Sequence, residues 1–153
     1  MKVFTNGCFD IVHVGHLKLL EECRRVAGPA NEYGRIIVGL NSDASIKRLK
    51  GTGRPVNNEK DRKYFLESIK FVSEVIIFDE DTPYELIKEV EPHMIIKGGD
   101  YDGSVTDPDD ARYIVGSDLC ETKVFDLVGD YSTTRILKGR WGFEFPNNEY
   151  MGV

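Results

Sequence analysis

Two histidines three residues apart, His13 and His16, flank Gly15 and close the segment Asn6-Gly7-Cys8-Phe9-Asp10-Ile11-Val12-His13-Val14-Gly15-His16. An imidazole N–H can donate to a phosphoryl oxygen and stabilise charge as it builds there. Two rings at this spacing can sit beside one phosphate. Gly15, without a Cβ, lets a backbone or a ligand approach closely. The chemistry suggested is phosphate binding and phosphoryl-type transfer, with His13 and His16 as catalytic candidates and Asn6, Gly7, Cys8, Phe9, Asp10 and Gly15 lining the same site. A metal pair would use similar spacing, but no third ligand is visible, and His93, which precedes an apolar run, reads as structural. No protein metal ligand is therefore expected. Asp10 can orient one imidazole or cap the turn, and a structural role for its carboxylate is the stronger reading.

The surrounding elements place this segment. Val3-Phe4-Thr5 predicts a strand ending at Asn6-Gly7, and His16 to Ala27 predicts a helix with Leu19, Cys23 and Val26 on one face, stopped by Gly28-Pro29. The histidines thus fall where a strand gives way to a helix, whose free N–H groups and positive dipole end suit phosphate. Further strands are predicted at Arg35 to Leu40, Val75 to Phe78, Met94 to Ile96 and Lys123 to Val128. Helices are predicted at Asp43 to Leu49, Asn58 to Val72 with Asn57 as cap, Thr82-Pro83 to Val90 with proline at the first position, Asp109 to Val115, and Ser132 to Lys138. Strands alternating with helices indicate an α/β fold with a parallel sheet of about five strands, doubly wound. One domain over residues 1–138 is expected. A C-terminal tail over 139–153 carries Trp141, Phe143, Phe145 and Tyr150 and is too aromatic for an ordinary disordered segment.

Composition narrows the function classes. The 153 residues include 26 acidic and 20 basic side chains, a net charge of −6, which argues against a nucleic-acid or anionic-membrane binder. The longest apolar runs, such as Val75-Ile76-Ile77-Phe78, fall far short of the roughly 20 residues a membrane span needs. No leader pattern precedes the first strand, so a cytoplasmic location is expected. Cys8, Cys23 and Cys120 form no paired motif and are expected to be reduced thiols.

Within this acidic chain Lys47, Arg48 and Lys50 form a basic patch, suited to offsetting phosphate charge. Lys50 and Lys47 are rival candidates for that role. Arg62 lies in a predicted helix, where it reaches phosphate or pairs with Glu59. Lys97-Gly98-Gly99-Asp100 follows a strand, so it shares the sheet edge with the histidines. The glycines there admit a base or a sugar, and Asp100 can accept from sugar hydroxyls. Ser132-Thr133-Thr134 begins the last predicted helix.

The histidine segment resembles the HxGH signature of the cytidylyltransferase-like nucleotidyltransferases. Asn41-Ser42-Asp43-Ala44-Ser45, Lys47-Arg48-Leu49-Lys50-Gly51, Arg54-Pro55-Val56-Asn57 with Arg62, Glu80-Asp81-Thr82-Pro83, Lys97-Gly98-Gly99-Asp100-Tyr101 and Ser132-Thr133-Thr134 resemble the ADP-heptose synthase branch, in its order. The resemblance implies a Rossmann-like fold and transfer of AMP from ATP to a sugar 1-phosphate, D-glycero-β-D-manno-heptose 1-phosphate, giving ADP-heptose and pyrophosphate. It implies that Lys50 is the phosphate lysine and that Ser132, Thr133 and Thr134 bind the triphosphate. It also implies that Mg²⁺ accompanies ATP and that the chain forms a homodimer. Glycerol-3-phosphate cytidylyltransferases carry Arg-Thr-Glu-Gly before Ser-Thr-Thr, where this chain has Leu127-Val128-Gly129-Asp130. A CTP-using enzyme of that type is one alternative, and a nucleotide-binding module without turnover is the other. The chain is too short to add the sugar-kinase domain of bifunctional relatives.

Overall fold

The computed structural model describes residues 1–31, 33–99, 101–126, 132, 133 and 136. In chain order its elements are β1 (Lys2–Gly7), α1 (Val14–Ala27), β2 (Arg35–Asn41), α2 (Asp43–Lys50), α3 (Glu59–Glu67), β3 (Glu74–Phe78), α4 (Tyr84–Val90), β4 (Met94–Gly98) and β5 (Glu121–Phe125). The strands form a parallel sheet in the order β3-β2-β1-β4-β5. This is a doubly wound, Rossmann-like arrangement, and its strand order reverses between β1 and β4. In such sheets ligands bind at the carboxyl ends of the strands beside the reversal.

Two apolar clusters sandwich the sheet. Val3, Leu19, Cys23, Ile36 and Ile96 pack on the α1 side, and Phe4, Ile37, Leu86, Ile87 and Ile95 pack on the α4 side. Neighbours such as Val3 and Phe4, or Ile95 and Ile96, part to opposite faces because strand side chains alternate. Both faces being covered explains the continuous apolar run of β2, six of whose seven residues are buried. Each fully buried Leu or Ile contributes about 1.5–3 kcal/mol. Gly116 is required between the layers: its φ is +90°, and a Cβ there would come within 2.9 Å of Ile87 and Ile95.

The helix ends differ in detail from expectation. α1 starts at Val14, two residues early, with His13 as its cap. Asn58 rather than Asn57 caps α3, accepting from the Asp61 N–H at 3.0 Å, and the helix ends at Glu67 rather than Val72. Pro83 is the cap of α4 instead of its first residue. The helix expected at Asp109 to Val115 is a series of turns. There the Asp107 carboxylate accepts from the Asp109 N–H and Asp110 from the Arg112 N–H, local bonds that compete with helix formation. The strand expected at Lys123 to Val128 runs from Glu121 to Phe125, and the expected end at 127–128 lies outside the described residues. So do Asp100, Thr134, the Leu127-Val128-Gly129-Asp130 segment and the tail 139–153. The three cysteines are free thiols. No helix among the described residues is long and apolar enough to cross a membrane.

Candidate active site

A cleft of about 890 Å³ opens at the carboxyl ends of β1 and β4, where the strand order reverses. Its floor is the turn between β1 and α1. Phe9 there takes a left-handed conformation, φ +46°, which a non-glycine residue adopts only when its surroundings hold it. The reason is its ring, which is buried and lies 5.0 Å from the His16 ring, tilted by 48°. Gly7 leaves room for it, since a Cβ there would meet the Phe9 ring at 3.3 Å.

His13 and His16 stack at 3.9 Å between centroids, 22° from parallel. The His13 backbone N–H donates to His16 Nδ1 at 3.3 Å. An imidazole nitrogen that accepts carries no proton, so neutral His16 holds its proton on Nε2. Burial, reinforced by the neighbouring His13, lowers the His16 pKa to about 4, and burial lowers that of His13. Near neutral pH the pair is therefore uncharged, and His16 contributes an oriented N–H beside the positive end of α1.

Other polar groups of the turn are occupied internally. The Asp10 carboxylate is fully buried. It accepts from Arg54 Nε at 2.8 Å and from the Val56 and Asn57 N–H groups at 2.9 Å. Asn57 Nδ2 donates to the Asp10 carbonyl at 2.8 Å. Asp10 thus fastens the 54–57 loop to the floor, the structural role favoured from sequence. Arg62 is a correction. Its side chain is 1% exposed and pairs with Asp43 at 2.8 Å, not with Glu59, whose carboxylate accepts from the Asp43 N–H. Arg62 also donates to the carbonyls of Cys8, Asn41 and Asn57, all at 2.8 Å. It ties the ends of β1 and β2 together and does not reach the cleft lining.

The basic patch separates into three roles. Lys50 lines the cleft, whereas Lys47 is exposed outside its lining. Lys47 lies in the last turn of α2, where cations favour the negative helix end. Arg48 donates to Asp81 at 2.9 Å and to the Asp79 carbonyl, securing the loop between β3 and α4.

Across the sheet, Lys97 is buried. Its Nζ donates to the Asn6 carbonyl at 2.9 Å and to Asn6 Oδ1 at 3.2 Å, and lies 4.5 Å from the Tyr101 ring centroid. Burial lowers its pKa to about 8, and raises those of the Cys8 thiol and the Tyr101 hydroxyl. Gly15, Gly98, Ser132 and Thr133 also line the cleft. Thr133 Oγ1 donates to the Ile11 carbonyl at 3.1 Å, holding Thr133 against the floor.

Arg54, Tyr101 and Tyr113 line the cleft as well, and sequence reasoning gave them no role. Arg54 sat within a quoted motif, but its carboxylate partner is 44 residues away in the chain. His93 is structural: its Nδ1 accepts from the Lys2 N–H at 3.1 Å. Among the described residues, no three His, Cys, Asp or Glu groups converge on a metal position. The cleft carboxylates are engaged by arginines: Asp10 by Arg54, Asp81 by Arg48 and Asp110 by Arg112. Such a donor set fits a cation carried by phosphate oxygens better than one caged by the protein.

A parallel sheet with two stacked histidines at a helix start, facing cleft lysines, defines a nucleotidyltransferase-type site. The chain belongs to the cytidylyltransferase-like family, whose sequence signature matches residues 4–139. It is 49% identical over 138 residues to the bifunctional protein HldE of Aliarcobacter butzleri and 51% identical over 138 residues to that of Nitratiruptor sp.. These matches cover 89% of this chain but 26% and 27% of those proteins, so the chain spans about a quarter of their length. The crystal structure of the lipopolysaccharide core biosynthesis protein from Thermoplasma volcanium GSS1 shares the fold, with a TM-score of 0.61 at 24% identity, covering 86% of this chain and 98% of that one.

Proposed function

We propose that the chain is an adenylyltransferase that joins AMP from ATP to D-glycero-β-D-manno-heptose 1-phosphate. An oxygen of the sugar phosphate attacks the α-phosphorus. The new O–P bond forms as the bond to the β-phosphate oxygen breaks, and pyrophosphate leaves with the electron pair. The attacking oxygen is already anionic, so no general base is required. The protein contributes position and charge.

The observation that carries this reading is the His16 Nε2–H, fixed by the His13 N–H and set at the start of α1 in a cleft that also holds Lys50. His13, His16 and the first turn of α1 meet the triphosphate, with Ser132 and Thr133 beside them. Lys50 offsets charge on the reacting phosphates. Mg²⁺, bound by phosphate oxygens and water, supplies further charge neutralisation. The quoted motifs of the ADP-heptose synthase branch and the 45–51% identity to proteins named HldE support the adenylyl and heptose assignments. The reading extends to a catalytic unit over residues 1–138 that works in the cytoplasm as a homodimer.

The test is pyrophosphate release with Mg²⁺, crossing ATP and CTP against heptose 1-phosphate and glycerol 3-phosphate. Release with ATP plus the heptose phosphate alone is expected. Release with CTP plus glycerol 3-phosphate overturns the assignment in favour of a cytidylyltransferase. Silence in all four pairs, with ATP bound, leaves a nucleotide-binding module.

A further inference from the structure

Phosphoryl transfer is roughly in line, so the incoming and departing oxygens lie on opposite sides of the phosphorus. The cleft itself has two sides, separated by the ends of β1 and β4. On one side Phe9 belongs to the α1-side cluster with Val3 and Ile96, and His16 rests against Phe9. On the other, Phe4 and Ile95 belong to the α4-side cluster, on which Tyr101 packs. Asn6 and Lys97 stand two residues further along the same strands as Phe4 and Ile95. They therefore share the α4 face, and Lys97 bonds Asn6 there.

Given the adenylyltransferase reading, on which this inference rests, we propose that Lys97 is the cation that receives the acceptor's phosphate monoester, and that the acceptor enters on the face opposite the histidines.

Three features support it. Lys97 is a buried ammonium whose hydrogen-bond partners are both neutral oxygens of Asn6. No carboxylate among the described residues pairs with it. The described carboxylates that line the cleft are bound to arginines: Asp10 to Arg54, Asp81 to Arg48 and Asp110 to Arg112. A buried charge is costly unless it is compensated, and an anionic ligand compensates it where no described side chain does. Two of its three N–H donors go to Asn6, which aims the head group and leaves one donor. The purely structural alternative is a tie between β1 and β4, and that role would show no preference for one substrate.

The experiment is titration calorimetry of the full chain holding Mg²⁺ and a non-hydrolysable ATP analogue, with heptose 1-phosphate and free heptose as probes. Wild type should bind the phosphate ester more tightly than the free sugar. Lys97→Met should weaken heptose 1-phosphate binding about 10- to 100-fold, the scale of one charged hydrogen bond, while affinity for the ATP analogue stays unchanged. Unaltered heptose 1-phosphate binding in Lys97→Met overturns the proposal, as does parallel loss of ATP-analogue affinity or failure of wild type to bind the ester. Should Lys97→Met not fold, the ¹⁵Nζ resonance of Lys97 in wild type serves instead. It should move on addition of heptose 1-phosphate to the analogue-bound protein, and a motionless resonance overturns the proposal. Failure of the adenylyltransferase reading is read separately, as absent pyrophosphate release from ATP plus heptose 1-phosphate. If release is normal and only the Lys97 outcomes are negative, the inference falls and the reading stands.

Discussion

Two sets of polar groups meet at the carboxyl end of β1 and have opposite fates. Asp10, Arg54, Asn57 and Arg62 satisfy one another and the backbone: the Asp10 carboxylate has three donors, and the Arg62 guanidinium has four acceptors. His16, Lys50 and Lys97 instead keep donors or charge that no carboxylate among the described residues takes up. The first set serves as scaffold and the second is the proposed site, although Asp10 and His16 share one motif and Lys50 and Arg54 stand four residues apart. Residue type alone does not divide them, since an arginine and a lysine are equally apt for phosphate on paper. What divides them is whether the fold has already met their hydrogen-bonding needs.

The largest effect expected from this division is on stability. Asp10→Ala leaves Arg54 buried without its partner and should cost about 3–5 kcal/mol, measurable by urea unfolding. A change under about 1 kcal/mol would erase the distinction between scaffold and site. His16→Ala should have the reverse signature, lowering kcat about 100-fold or more, the scale of a lost charge-stabilising donor. Its stability loss should stay near the ~1 kcal/mol of a weakened helix cap. Steady-state kinetics and unfolding on the same preparation separate the two variants.

Acid sharpens the contrast further. Unfolded His16 binds its proton near its ordinary 6.5, and folded His16 only at about 4. The unfolded chain therefore holds more protons in that window, so this group's contribution to stability falls as pH drops from 6.5 towards 4. His16→Gln should flatten that part of a stability–pH profile. The smallest difference is expected between two lysines three residues apart. Lys50→Ala should reduce kcat/KM by about tenfold or more, on the scale of a lost charged contact. Lys47→Ala should stay within about 0.5 kcal/mol in both stability and transition-state binding, as for an ordinary surface position. Equal losses would place Lys47 in the site after all.

The sheet was legible because its strands carry short apolar runs, such as Ile36-Ile37-Val38 of β2 and Val75-Ile76-Ile77-Phe78 of β3, and the floor because a glycine–histidine segment follows β1. Helix caps were less legible. Asn57 and Asn58 are chemically equivalent at a helix start, and only the pull of the Asp10 carbonyl on the Asn57 amide decides between them. The 109–115 turns were missed because apolar spacing suggested a helix, while short-range bonds from Asp107 and Asp110 prevailed. Arg62 was ambiguous because its four acceptors come from three separate segments, at Cys8, at Asn41 and Asp43, and at Asn57. Lys97 was legible as lying at the sheet edge beside the histidines, and it lines the cleft, but its face of the sheet follows only from the strand register.

The proposed chemistry requires His16 to be a neutral, Nε2-protonated donor aimed at phosphate. Imidazole ¹⁵N spectra of the wild-type protein at neutral pH, with and without ATP and Mg²⁺, test this most directly. The prediction is a proton on Nε2, an unprotonated Nδ1, and a shift of the Nε2 resonance when the nucleotide binds. A proton on Nδ1, or an Nε2 resonance indifferent to bound ATP, would contradict it.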